Sequence, residues 1–273
     1  MFRAERSKST LGSTFSLLEL IYHATVRHIR KSQGNAILGL MRNMLQTMML
    51  VFTFYIMYGV LGLRGNSVRG DFLLYIMSGI FLYMTHIKAM GAVFSSEGPT
   101  SAMMKHAPMT TAVSISSAAL GALYIQLLSM IVVLYLYHAA FNPIEIYDWM
   151  GALGMVLLSW FTGVALGMVF LAAKPWNPSV VGIIQQLYSR ANMIASGKMF
   201  LANTLPHKML VLFNWNPLFH TIDQARGFTF INYNPHFSNW EYPLYVGLAL
   251  LMIGLMGEFY TRQHASVSWA ARG

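Results

Sequence analysis

Apolar residues run along this chain in long blocks rather than at alternate positions. A bilayer crossing takes roughly 20 mainly apolar residues. Six blocks meet that length: Leu45–Leu63, Phe72–Ser95, Ala112–Tyr137, Met150–Ala173, Val180–Leu205 and Pro243–Tyr260. The third is long enough to tilt or to extend past the hydrocarbon. The pattern predicts an all-α integral membrane protein with six transmembrane helices in one domain, residues 1–273. No internal repeat or low-complexity run interrupts it.

The segment before the first block has a different period. In "FSLLELIYHATVRHIRKSQG", Leu17, Leu20, Ile21, Ala24 and Ile29 share one helical face, while Glu19, His23, Arg27, Arg30 and Lys31 fill most of the rest. This predicts an amphipathic helix over 16–33, lying in the membrane interface and ending at Gly34. An ordinary surface anchor is the plain alternative.

Between the fifth and sixth blocks stands "NWNPLFHTIDQARGFTF", Asn214 to Phe230. Asn216 is a good N-cap, and Pro217 at the first helical position loses no needed N–H. Leu218, Ile222 and Ala225 share an apolar face; His220, Asp223, Gln224 and Arg226 are polar; Gly227 offers a stop. Before it, "TLPHKMLVLF" predicts a second short helix beginning near Thr204 and Pro206. At about 1.5 Å per residue, ten residues reach only half-way across the hydrocarbon. A paired dip into the membrane over 204–227, capping a cavity, is the expectation, since backbone turning within a bilayer must be covered by protein or water. Two helices lying flat on the surface are the alternative.

The fifth block is unusually polar. Gln185, Ser189, Asn192 and Ser196 recur at spacings that place them on one face, with Gln186, Arg190 and Gly197 beside it. Such a face meets a partner helix, a second copy of the chain or a hydrated path. Interhelical hydrogen bonding and a path wall both satisfy it. Phe52, Tyr55 and Tyr58 step along the first block, and Trp160 and Phe161 lie in the fourth. Flat rings with polar edges suit sliding contact with sugars, and they serve equally as packing.

Composition sharpens this picture. Only 10% of the 273 residues are charged against 56% hydrophobic, far below the roughly 25% charge of soluble domains. A net charge of +9 raises nucleic acid as a partner, but the placement of the charges argues for a membrane. Seven of the 18 basic residues (Arg3, Arg6, Lys8, Arg27, Arg30, Lys31 and Arg42) precede the first block, and Lys105, Lys174, Arg262 and Arg272 fall on the same side. Arg64, Arg69, Lys208 and Arg226 fall opposite, with Lys198 near that edge. Basic residues concentrate on the cytoplasmic side, so both termini are expected there. Lys88 sits toward that side and can snorkel. The first 16 residues are polar, so no cleavable signal is expected.

The absence of cysteine excludes disulfides and thiolate metal sites. There is no G-x-x-x-x-G-K-[ST] to cradle a nucleotide and no H-E-x-x-H; His23 and His28, five apart, point in different directions. Nothing resembles a nucleophile elbow, and the carboxylates are scattered. We expect no catalytic residues, no metal, no bound cofactor and no enzyme activity in this chain.

Taken together, the basic interfacial helix, six spans and paired short helices resemble the membrane subunit of type-2 ABC exporters of capsular or O-antigen polysaccharide. The most specific piece is Asn216, Pro217, His220, Asp223, Arg226, Gly227 and Phe228, which looks like that family's outer-gate segment. "LIYHATVRHIRKSQGNAILGL" is similar to its basic lead into the first span. The resemblance implies a homodimer, with ATP and magnesium bound by two copies of a separate ATPase. It implies a lipid-linked polysaccharide as cargo, capsule more than O-antigen, across the bacterial inner membrane. Periplasmic and outer-membrane export proteins are further implied partners. It also places the ATPase-coupling helix in "SSEGPTSAMMKHAPMTTA", with Thr100 as cap, Met103, Met104, Lys105 and His106 as contacts, and Pro108 as its end. The substrate path would then run along Phe52, Tyr55, Gln185, Ser189, Arg190, Asn192 and Ser196. A same-fold exporter of drug or lipid, or a non-transporting membrane scaffold, is the rival reading.

Overall fold

A computed structural model describes residues 10–33, 36–60, 62, 71–96, 98 and 110–264. Among these the regular elements are all helical: α1 (Thr10–Gln33), α2 (Ala36–Val60), α3 (Phe72–Phe94), α4 (Thr111–Ala140), α5 (Trp149–Ala173), α6 (Pro178–Ala195), α7 (His207–Phe213), α8 (Pro217–Thr229) and α9 (Glu241–His264), with one 3-10 turn at Ala202–Thr204. Five helices are long and apolar enough to cross a membrane: Leu38–Val60 of α2, then α3, α4, α5 and α9.

Local chemistry sets most helix starts. The side chains of Asp71, Thr110 and Asp148 accept from backbone N–H groups in the first turns of α3, α4 and α5. Asp71 also accepts a hydrogen bond from the Tyr137 hydroxyl, which fastens the end of α4 to the start of α3. An Asn-Pro pair opens both α6 and α8: Asn177 Oδ1 accepts from Val180 N at 3.1 Å, and Asn216 Oδ1 from Leu218 N at 3.0 Å.

α5 is the central post, packed against α9 on one side and α3 on the other, with α8 against both α5 and α3. The α3–α5 approach is close because Gly163 and Gly167 face the α3 backbone. A Cβ at Gly163 would lie 2.4 Å from the His86 carbonyl oxygen. His86 itself is buried at this contact, 3.1 Å from Thr162 Oγ1 and 2.9 Å from the Tyr188 hydroxyl of α6. α1 lies along α4.

Four boundaries differ from the sequence expectation. The interfacial helix begins at Thr10 rather than 16; Gly34, its expected stop, lies outside the described residues. α2 starts at Ala36, so Arg42 stands inside the helix instead of ahead of it. The helix expected over 180–205 stops at Ala195: Ser196 ends it, and Gly197 turns with φ 74°. At 18 residues, about 27 Å, α6 is more polar and shorter than the five membrane-length helices. Lastly, α8 continues through Gly227 to Thr229. Gly227 is there for close approach, since a Cβ would lie 2.7 Å from Pro235 Cδ. α7 and α8, of 7 and 13 residues, are each shorter than a bilayer crossing.

Candidate functional site

A cavity of about 1110 Å³ lies between α1, α2, α3, α4 and α6. It extends from the end of the bundle where α2 and α4 begin, past Ser95 and Ser96 at the close of α3, to Tyr83 and Thr53 near mid-helix. Arg27, Arg42 and Lys88 line it, and no Asp or Glu does among the described residues. Lys88 Nζ donates to Gln46 Oε1 at 2.6 Å, bracing α3 against α2. Asn43 donates to Gln126 Oε1 at 3.1 Å and to Ser129 Oγ at 2.9 Å, joining α2 to α4. The Gln126 amide nitrogen, buried at the cavity wall, has no hydrogen-bond partner. Such a donor is costly to leave unmade, so the wall is built to receive an acceptor. The remaining wall is largely apolar, including Met49, Met84, Ile87 and Met193. Cations, an open amide and flexible apolar surface together suit an amphiphile with an anionic head.

The opposite half of the molecule holds a second polar assembly, centred on α8 and bonded largely to itself, although Arg226 Nε and Ser196 Oγ have no partner. Arg226, with 0% exposure, donates Nη1 to the carbonyls of Gly197 (2.9 Å) and Phe200 (2.7 Å) and Nη2 to that of Lys198 (2.6 Å). Its guanidinium lies over the Tyr75 ring, 4.3 Å from the centroid. The fork geometry thus caps the irregular turn after α6, whose carbonyls have no helix to bond into. Asp223 accepts from Ala202 N at 3.3 Å, from Ser238 Oγ at 2.7 Å and from the Tyr233 hydroxyl. Burial first, then the Asp223 charge, pushes the Tyr233 phenol above its ordinary range, keeping it a donor. Asn216 donates to Asn192 Oδ1 at 2.8 Å and to the Ala195 carbonyl at 2.9 Å. His220 Nε2 donates to the Asn214 carbonyl at 2.7 Å, leaving Nδ1 to accept from Asn239 N at 3.2 Å. Asn216, His220, Asp223, Gln224 and Arg226 therefore tie stretches of 192–239 to one helix.

The structure divides the expected path residues between these regions. Gln185 lines the cavity. Ser189 back-bonds to the Gln185 carbonyl at 2.9 Å, and its own carbonyl accepts from the Tyr83 hydroxyl at 3.2 Å. Asn192 and Ser196 are buried in the α8 assembly. Arg190 is exposed on the side of α6 turned away from the bundle, beside Ile183, Leu187 and Ile194. Phe52, 64% exposed, and Tyr55, set against Phe72, do not line the cavity. Asn216, Pro217, His220, Asp223 and Arg226 are all buried in α8 or at its cap. Thr100, Met103, Met104, Lys105 and His106 lie outside the described residues.

Sequence reasoning missed Arg42, Lys88 and Gln126 as partners in one space. Their only linear signal was polarity within apolar blocks, which snorkelling explains equally well. No protein-family model matches the chain, and no curated protein shows a significant match to it.

Proposed function

We propose that this chain is the membrane subunit of a type-2 ABC exporter that moves a lipid-linked polysaccharide, capsular more than O-antigen, out across the bacterial inner membrane. The carrying observation is the cavity: cationic, free of lining carboxylates among the described residues, and reaching from one face to mid-helix among membrane-length helices. With both termini cytoplasmic, that face is the cytoplasmic one, where a lipid-borne anionic head would arrive. The apolar walls between α2, α4 and α6 would accept its acyl part.

α6 supports a second copy of the chain as partner. Gln186 and Arg190 share its outward side with Ile183, Leu187 and Ile194, and an Arg on such a face is costly against lipid. A two-fold dimer joining these faces would shelter them. Energy would come from two copies of a separate ATPase, docking on the segment holding Thr100, Met103, Met104, Lys105 and His106. The α7–α8 pair would close the outer end.

The test is affinity purification of the tagged full chain from its native membrane, combined with surface-polysaccharide staining of a deletion strain. Co-purification of a P-loop ATPase together with loss of surface glycan is expected. A chain that purifies without an ATPase, from cells whose surface glycan survives its deletion, is a scaffold and ends this reading.

A further inference from the structure

Lys198 follows the turn that ends α6, and its backbone is immobilised. Its carbonyl accepts from Arg226 Nη2 at 2.6 Å, and its Cα and Cβ abut Gly79, where an added Cβ would lie 2.9–3.0 Å away. The ammonium, by contrast, has no polar partner. Lys198 is 3% exposed, its Nζ makes no hydrogen bond, and it rests 3.6 Å from the Tyr83 ring centroid and 5.0 Å from that of Phe54. Ring faces attract a cation, yet they satisfy none of its three N–H donors. A buried amine held only by rings is poised to leave them for an oxyanion.

Tyr83 stands between that amine and the cavity. It lines the deep end of the cavity, whereas Lys198 does not. Its ring is buried at the edge of the core, and its hydroxyl makes one hydrogen bond, 3.2 Å to the Ser189 carbonyl on α6. α6 is itself sparsely packed, with only Val181 and Asn192 buried along its length. A shift of α6 would break that bond together with the one from Tyr188 to His86, while the glycine contacts of Gly163 and Gly167 with α3 do not involve α6.

We propose that Tyr83 is a movable partition and Lys198 a latent oxyanion-binding group of the cavity. When the ring swings aside, the ammonium joins Arg42 and Lys88 in one continuous space. It then receives a carboxylate or phosphate of the exported molecule at mid-depth. The assignment of cargo rests on the export reading above; the partition itself does not.

The chain has no cysteine, so single-cysteine variants report without background. In membrane vesicles opened to the cytoplasmic face, K198C should resist an impermeant methanethiosulfonate under conditions that label R42C. K198C with Y83A, or with Y83V should Y83A fail to insert, should label. K198C with Y83F, which keeps the ring but loses its hydroxyl bond, should label faster than K198C alone and slower than K198C with Y83A. Labelling of K198C alone at the R42C rate overturns the partition, as does its protection after the ring is removed.

Charge supplies the second arm. At Q185C in the Y83A background, the rate ratio of sulfonatoethyl to trimethylammonioethyl methanethiosulfonate should rise roughly tenfold, as one nearby unit charge in a partly wet site produces. Adding K198Q should return the ratio to its starting value; a ratio indifferent to K198Q removes Lys198 from the site. No ATPase or glycan enters either assay. Loss of the export reading leaves these outcomes standing, and their failure leaves export untouched.

Discussion

The cavity and the α8 assembly are both polar regions in an apolar chain, and they differ in where their hydrogen bonds end. Around α8, Asn216, His220, Asp223 and Arg226 spend their groups on the backbone and side chains of 192–239. Around the cavity, Arg27, Arg42, Lys88 and the unpartnered amide of Gln126 border open space. Buried polar groups that close on one another specify a conformation. Polar groups that border a space hold chemistry ready for something that arrives. One region is a clamp and the other a receptacle, although both read as polar punctuation in the sequence.

The comparison breaks most readily at Arg226. R226M leaves the carbonyls of Lys198 and Phe200 without their guanidinium donor in a buried site, and that of Gly197 with only the Phe200 N–H. The expected loss is on the order of 3–5 kcal/mol. Folded yield and thermal unfolding of the detergent-solubilised protein should both collapse, and R226K should rescue little because an ammonium lacks the planar fork. A normally stable R226M would show that the clamp is not structural.

A smaller effect is expected at Asp223. D223N keeps the shape but places an amide among the donors of Ala202, Tyr233 and Ser238. A destabilisation of about 1–3 kcal/mol follows, visible as a lowered melting temperature. D223N that melts with the parent would mean the carboxylate's charge is idle.

The smallest change in stability should come from the receptacle. Arg42 is exposed, and Lys88 has a single side-chain partner, Gln46. R42Q with K88Q should shift stability by no more than about 0.5 kcal/mol. Surface glycan should nevertheless fall sharply in cells carrying the pair. Full export by that variant would deprive the cavity of its role even with the protein intact.

Much of the fold was legible in the sequence. The apolar blocks placed α3, α4, α5 and α9 within a few residues, and Asn216-Pro217 marked the start of α8. The error at the fifth block has a specific cause. Its apolar composition continues past Ala195, but Gly197 takes a positive φ and Arg226, distant in sequence, captures the carbonyls that a continuing helix would have used. The spacing of Gln185, Ser189 and Asn192 put them along one side of α6, while Ser196, expected on the same face, ends the helix. That side meets the cavity at Gln185 and Asn216 at Asn192, a division that periodicity does not encode.

The sequence by itself determined the all-α class, five of the six expected membrane-length apolar helices and the two short helices before the last. Transfer energy, helix period and capping are properties of neighbouring residues. Only the tertiary structure decided that Lys198 lies on Tyr83, that Gln126 opens onto a cavity, and that Arg226 closes a turn well before it in the chain. Those outcomes depend on which helix faces meet, and a contact between distant segments leaves no mark on the local pattern of either.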